Sequence, residues 1–457
     1  MEVDLIGVLT VVVGFSSLLL GTRAVFTTFI LANLLGAAAA FQTSSVTIQP
    51  PHLLLAFVAV SVFSDHLLST ASINALRFPK PGYWLACLAV YGLLSAVFLP
   101  RIFAGSTLII PLGSSEYGNT GSPVPLGPIS SNFTQSVYIM GDLLCFLFTA
   151  GFASTEEGFN ASAFALLLFA AGNIFFALID IATFYTGTQS FLAFVRNAQY
   201  ALHNEVELNG LKRIVGSFTE ASAFARASLG TLAFTGTLWL SARRPVLTGA
   251  LAMSTLGLII LSTSSSGLAG TPFVLALLYV TAIVRNGVRP DRPYESAAIL
   301  SAPLLIGSVI AAVLLDEKTS RIISDYFDLL IFSKSGSDSG IERASWNVQA
   351  MLNFSDSDGF GVGLGTVRTS GLLAALLSNV GLLGFLFYLL FVGTAFGKKR
   401  GVARSFPSDM RMAARNACIG LTVGDLSVAP TVEQGLLFYV FAGVACADFE
   451  QKEGEPR

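Results

Sequence analysis

The run Gly371-Leu-Leu-Ala-Ala-Leu-Leu-Ser-Asn-Val-Gly-Leu-Leu-Gly-Phe-Leu-Phe-Tyr-Leu-Leu-Phe-Val-Gly-Thr-Ala-Phe396 contains no charged residue. At about 1.5 Å of rise per residue, a helix of that length exceeds the ~30 Å hydrocarbon core of a bilayer. Three cations, Lys398-Lys399-Arg400, close the run on one side. On the other stands the longest polar interval of the second half, residues 317–370, and before it another apolar block at 296–315. Apolar block, polar loop, apolar block and basic turn alternate throughout the chain.

The 457 residues are 53% apolar and 12% charged, with a mean hydropathy of +0.70. Soluble domains carry about 25% charged residues, so a soluble fold is excluded by composition. Apolar blocks lie near 5–20, 24–41, 52–74, 83–104, 136–153, 161–183, 220–240, 245–262, 271–285, 296–315, 371–396, 413–428 and 431–447. They predict one all-α domain over 1–457, a polytopic transmembrane helical bundle of about 12 or 13 spans. The last two blocks share one stretch, interrupted by Asp425, Pro430 and Glu433. Cys87, Cys145, Cys418 and Cys446 fall in or beside apolar blocks, and read as small core residues rather than disulfides or metal ligands. Met-Glu-Val-Asp precedes the first block with no basic n-region, so no cleaved signal peptide is expected. A net charge of -2 gives no sign of nucleic-acid binding.

Short-loop cations set the orientation. Arg23, Arg77 with Lys80, Arg243 with Arg244, Arg285/Arg289/Arg292 and Lys398-Lys399-Arg400 all fall on one side when the spans alternate. That side is expected to be cytoplasmic. The other receives 42–51, 105–135, 184–219, 263–270 and 317–370. The Gly-, Ser- and Pro-rich segment 105–135 is nearly uncharged and reads as a surface loop with little chemistry. The two charged loops, 184–219 and 317–370, therefore share the outer face.

Loop 184–219 carries Arg196, His203, Glu205, Glu207, Lys212 and Arg213, then enters a helix as Gly216-Ser217-Phe218-Thr-Glu220-Ala-Ser222. Charge at a membrane boundary costs several kcal/mol unless paired or hydrated, so Glu220 and Arg226 read as the wall of a polar cavity. For Glu220 a second reading stands beside it, as the acid of a capping box opened by Ser217. In Ser262-Thr-Ser-Ser-Ser-Gly267, hydroxyls such as that of Ser266 would hold phosphate or sugar, although turn composition alone explains the run.

Interval 317–370 holds seven acids (Glu317, Asp325, Asp328, Asp338, Glu342, Asp356, Asp358) and five bases (Lys318, Arg321, Lys334, Arg343, Arg368). Arg343 and Trp346, three apart, share a face if that segment is helical. Arginine offers a fork for phosphate, and tryptophan a face for a sugar ring. Gly361-Val-Gly-Leu-Gly365 lacks both the spacing of a dinucleotide fingerprint and a P-loop lysine. It reads instead as backbone re-entering close to a helix end. His52, His66 and His203 are scattered and no His-Glu-x-x-His occurs, so no metal site is expected.

The order of these features resembles the O-antigen polymerase and O-antigen ligase superfamily of integral-membrane glycosyltransferases. The resemblance covers about residues 190–395: Arg213 leading into Gly216-Ser217-Phe218-x-Glu220-x-Ser222-x-Phe224-Ala225, the serine turn 262–267, Arg343-x-x-Trp346, Gly361-x-Gly-x-Gly365, and a helix beginning Leu376-Leu-Ser-Asn-Val-Gly381-Leu-Leu-Gly384. It implies a bundle of about a dozen spans in the bacterial inner membrane, with a metal- and cofactor-independent active site facing the periplasm. The implied donor and acceptor are undecaprenyl-diphosphate-linked oligosaccharides of an O-antigen, exopolysaccharide or capsule. The implied partners are the lipid bilayer and a chain-length regulator protein.

Arginines of the outer loops would hold the leaving diphosphate and a base would activate the acceptor hydroxyl. On that pattern Glu220, Arg213 and Arg343 are the catalytic candidates; Arg196, Arg368, Trp346, Ser217 and Ser266 are the substrate-binding ones. The ligases carry a histidine after the glycine run, where this chain has Arg368-Thr-Ser-Gly371. That favours a polymerase over a ligase and leaves Glu220 and Asp338 as candidate bases. A lipid-linked-oligosaccharide flippase or other transporter is the rival. The sequence shows neither the repeats nor the symmetric broken helices of that class.

Overall fold

The computed structural model describes residues 2–42, 47–117, 122–198, 207–208, 211–286, 293–328, 336–398 and 400–449. His203, Glu205, Arg289, Arg292, Lys334 and Lys399, and the side chains of Glu207 and Asp338, lie outside the described residues.

The helices in chain order are α1 (Leu5–Leu20), α2 (Thr22–Ala32), α3 (Pro50–Phe63), α4 (His66–Asn74), α5 (Pro81–Ile102), α6 (Ser130–Phe152), α7 (Glu156–Thr186), α8 (Ala221–Leu240), α9 (Pro245–Leu261), α10 (Ser265–Asn286), α11 (Pro293–Leu315), α12 (Glu317–Phe327), α13 (Asp338–Asp356), α14 (Leu372–Phe396), α15 (Phe406–Val428) and α16 (Leu436–Cys446). Strands among the described residues are two-residue pieces at the loops. The protein is a helical, multi-pass membrane bundle.

Among the described residues α5, α6, α7, α10, α11 and α14 are long and apolar enough to cross a membrane, and the bent pair α3–α4 makes a seventh. This is fewer than the apolar blocks suggest, for a physical reason. α1, α2, α9 and α16 are apolar but short, whereas α8 and α15 are long but carry Ser, Thr, Arg, Asn and Asp that bond to neighbouring helices. Asn416 of α15 donates to Thr237 of α8 (2.9 Å) and to Thr281 of α10 (3.2 Å).

α8 lies at the centre, almost wholly buried, with α15, α9 and α10 around it. Its approach to α15 depends on glycine. A Cβ at Gly230 would stand 2.7 Å from Leu421, and one at Gly420 2.6 Å from the Leu229 carbonyl. Small residues at such crossings let backbones approach and raise packing contact where lipid gives no hydrophobic drive.

Two helices are broken, which the sequence reading did not anticipate. α3 and α4 meet at 110°, with Asp65 capping α4 by accepting from Leu67 and Leu68 N–H (2.8 and 3.2 Å). α14 breaks at Gly381 (φ 60°, ψ -166°). There the glycine run of 361–365 enters the bundle, as its composition suggests. Val362 N–H donates to the Ser378 carbonyl (2.8 Å), Gly363 N–H to Asn379 (2.9 Å), and Leu382 N–H to Gly359 (2.9 Å). The loop thus pairs two carbonyls and one N–H at the break, the kind of replacement that hydrocarbon surroundings demand.

Hydrogen bonds sort the connections into two ends. At one, Lys80 pairs with Asp448 (2.7 Å), while Arg243 (2.8 Å) and Arg285 both pair with the buried Asp409. The basic turns thus gather together, as alternation requires. At the other end, Ala37 N–H meets the Ser217 carbonyl (3.0 Å), Arg368 N–H meets Ile110 (3.0 Å), and Gly371 N–H meets Ala429 (2.8 Å). Segment 105–135 is no idle loop there. Its Leu108 carbonyl accepts from Gln349 and Asn353 of α13 (both 2.6 Å), and Thr107 donates to Asp356 (2.6 Å). With α13 and residues 359–371 it forms a cap over one end of the bundle.

Candidate functional site

α7 ends close to Asp180, an acid in an otherwise apolar block, 1% exposed. Its carboxylate accepts from the N–H groups of Val215 (2.8 Å) and Gly216 (3.0 Å) and pairs with Arg196 (2.6 Å) and Lys212 (3.5 Å). Arg196 Nε also donates to the Gly216 carbonyl (3.0 Å). This network pins the turn 212–217 from within. Arg196 is therefore a buried structural arginine, not the substrate-binding group expected from its place in a charged loop.

Ser217 is also withdrawn: it is fully buried and donates to the Leu34 carbonyl. The expected capping box does not form. Glu220 itself is the residue before the first turn of α8, in extended conformation, and its carboxylate caps nothing. Its carbonyl accepts the first helical bonds from Ala223 and Phe224 (both 3.1 Å). That frees its side chain, which accepts from Ser222 and faces outward.

The cap brings Arg343 to it. α13 begins at Ser337, whose hydroxyl accepts from Gly340 N–H (3.3 Å), and its second turn carries Arg343 to within 3.6 Å of Glu220. Both side chains remain about a third exposed, at 32% and 31%. Arg213, on the pinned turn, joins them. Its guanidinium is pulled below the ordinary arginine value by burial, with Glu220 opposing and Arg343 adding to the shift, and its buried Nε has no hydrogen-bond partner. Arg213, Glu220 and Arg343, separated by up to 130 positions, thus form one cluster of two cations and one anion.

Trp346 stands one turn after Arg343 on α13, as their spacing predicts, and the Arg368 guanidinium lies over its ring at 5.1 Å. Asn347 holds the Arg368 strand against α13 through both backbone atoms of Ser370 (2.8 and 3.1 Å). Ser266 is not part of this group: it pairs with Ser264 (3.0 Å) in the turn entering α10. Asp356 and Asp358 end α13 two residues apart, with Asp356 held by Thr107. No group of three or more His, Cys, Asp and Glu side chains gathers among the described residues.

A second constellation lies deeper. Arg226, two turns into α8, makes a two-pronged pair with Asp425 of α15 (Nη2–Oδ2 2.8 Å) and donates to the Gln434 carbonyl. Gln434 Nε2 donates to Asp425 (3.0 Å), and Tyr388 donates to Gln434 Oε1 (2.9 Å). Asp142, on α6, is fully buried with no partner on either oxygen. Single acids inside apolar blocks (Asp142, Asp180, Asp425) are the sequence signal for these sites that the reading of the chain left unused, since such residues are expensive and mark function or a buried pair.

Chemically, the outer cluster can hold a polyanion through two guanidinium groups and offers a carboxylate beside them. Comparison with known proteins found no family model and no curated protein that matches this chain.

Proposed function

We propose that the protein is a membrane glycosyltransferase that polymerises diphosphate-lipid-linked oligosaccharide repeats, working at the capped end of the bundle. The observation that carries this reading is the cluster of Arg213, Glu220 and Arg343, with Arg343 3.6 Å from Glu220, both of these about a third exposed, at the mouth of a lipid-embedded bundle. The basic turns lie at the opposite end, and under the charge rule that supports a periplasmic capped end in a bacterial inner membrane.

In the reaction, the acceptor hydroxyl attacks the anomeric carbon of the donor sugar, and the bond from that carbon to the diphosphate oxygen breaks. Glu220 takes the hydroxyl proton. Arg213 and Arg343 hold the diphosphate, whose negative charge grows as it leaves, and their partial burial strengthens that interaction. Trp346, flanked by Arg368, offers a stacking face to a sugar of the chain.

The test is elongation by purified protein in vesicles, supplied with a synthetic polyprenyl-diphosphate repeat and read as a mass ladder. Wild type should extend the repeat, whereas Arg343→Ala and Arg213→Ala should not. Passage of the lipid to the other leaflet without a longer product would replace this reading with the transporter one, for which the breaks in α3–α4 and α14 are the structural argument. Transfer to a lipid A core acceptor would indicate a ligase.

A further inference from the structure

Below Glu220 the same face of α8 opens onto a cavity of about 230 Å³. Ala223 and Ala227 form its α8 wall, three and seven residues after Glu220, so the two sites share one helical stripe. The rest is built from the end of α2, the start of α3, α6 and the segment entering α16, with His52, Tyr138, Phe218, Arg226 and Glu433 among its lining.

Arg226 is already satisfied by Asp425 and the Gln434 carbonyl, which fixes it in the wall and largely cancels its charge. What remains in the lining is a histidine without partners and a carboxylate with lone pairs to spare. Both ring nitrogens of His52 are buried without a hydrogen bond. Glu433 lines the cavity with a carboxylate that meets the Gly435 backbone N–H, and the unpartnered Asp142 carboxylate, which is not part of the lining, interacts electrostatically with Glu433 and Arg226. A buried polar atom left unbonded costs free energy, so such a group calls for an explanation. Carboxylates lack donors, and a neutral imidazole lacks one donor and one acceptor. A ligand dense in hydroxyls supplies both, and the rings of Phe218 and Tyr138 supply apolar faces of the kind that cover a sugar ring.

We infer that this cavity is the subsite for the single sugar ring that carries the acceptor hydroxyl, held by His52 and Glu433 directly beneath the base Glu220. The inference rests on the polymerase reading and adds to it where the acceptor sits. The outer cluster then holds the donor diphosphate, and the two substrates meet at Glu220.

The test uses two probes on the whole purified protein. The first is farnesyl diphosphate, for the outer cluster; the second is a panel of methyl glycosides of hexoses, N-acetylhexosamines and deoxyhexoses, for the cavity. Binding is read by saturation-transfer NMR and by thermal stabilisation. Wild type should bind farnesyl diphosphate and at least one glycoside. Ala223→Trp, which fills the cavity, should lose the glycoside and keep farnesyl diphosphate, and the retained binding shows that the variant is folded. Glu433→Gln should weaken the glycoside roughly tenfold, the effect of one charge-assisted hydrogen bond. Arg343→Ala should do the reverse, losing farnesyl diphosphate and keeping the glycoside.

Farnesyl diphosphate binding that survives Arg343→Ala would sink the polymerase reading alone. Glycoside binding that persists in Ala223→Trp, no glycoside binding at all, or stabilisation by sodium or potassium only, would overturn the cavity assignment alone. Should Ala223→Trp not fold, an unchanged glycoside affinity in Glu433→Gln overturns it equally.

Discussion

Arg196→Ala should destabilise the protein by about 3–5 kcal/mol, the cost of leaving one partner of a buried ion pair uncompensated. The structure supplies the terms. Asp180 and Arg196 side chains are 1% and 4% exposed and 2.6 Å apart. Without the guanidinium, Asp180 retains only Lys212 at 3.5 Å as a cation, and the Gly216 carbonyl loses its side-chain donor. The turn that presents Arg213 then loosens. Arg343→Ala removes a pair 3.6 Å long and about a third exposed on both sides, of the kind that contributes only about 0–1 kcal/mol. Unfolding of the detergent-solubilised variants, followed by proteolysis and fluorescence, should show Arg196→Ala opening far earlier than wild type and Arg343→Ala indistinguishable from it. If Arg196→Ala unfolds like wild type yet abolishes polymer, the arginine belongs to the substrate site and the structural assignment is wrong.

Glu220→Gln should stop chain growth while leaving unfolding within about 1 kcal/mol of wild type, since its carboxylate caps no helix and its pair is surface-weighted; wild-type elongation would remove it as the base. Arg343→Lys should restore only part of the activity lost in Arg343→Ala, because a point charge replaces a two-pronged fork; full rescue in the elongation assay would mean that charge alone suffices. Gly363→Ala should abolish accumulation of the protein, because at φ 106° its Cβ would stand 2.7 Å from Pro100, and an immunoblot of membranes checks it. Ser339→Cys should react with an impermeant maleimide in intact cells and Val402→Cys should not; the opposite labelling would invert the topology and, with it, the periplasmic site.

Much of the bundle is legible because apolar length has one reading in a membrane. Blocks 245–262 and 371–396 become α9 and α14 almost to the residue. Block 24–41 misleads because Ala37–Ala40 are apolar for a different reason. They are fully buried beneath the outer segments, with Ala37 bonded to Ser217 and Ala39 to Asn197, and Ala40 closes on Gly7, where a Cβ would clash. Small buried residues serve close backbone contact as well as lipid, and composition does not separate the two. The reverse error occurs in 317–370: its charges suggest a loop, yet α12 and α13 fill much of it, because helices with one wet face need few apolar residues. Within the site, Arg213, Glu220 and Arg343 stand out by their residue types. Their meeting depends on Asp180 and on the 105–135 segment, whose roles follow from long-range contacts and leave no local pattern. Ser217 and Arg196 fail for the same reason, since whether a polar side chain faces a pocket or the backbone of a distant segment is decided by tertiary packing.

The break in α14 bears on how the protein is made. During synthesis the glycine run leaves the ribosome before the helix it will plug. Until Val362 and Gly363 reach the Ser378 and Asn379 carbonyls, α14 has two alternatives. It can stay continuous through Gly381, or it can expose backbone groups at several kcal/mol each. Docking of the cap is thus the step that converts a straight, freely inserted helix into the bent one. A chain whose cap fails to form should carry a straight, differently placed α14, recognisable to quality-control proteases as an unfinished membrane protein.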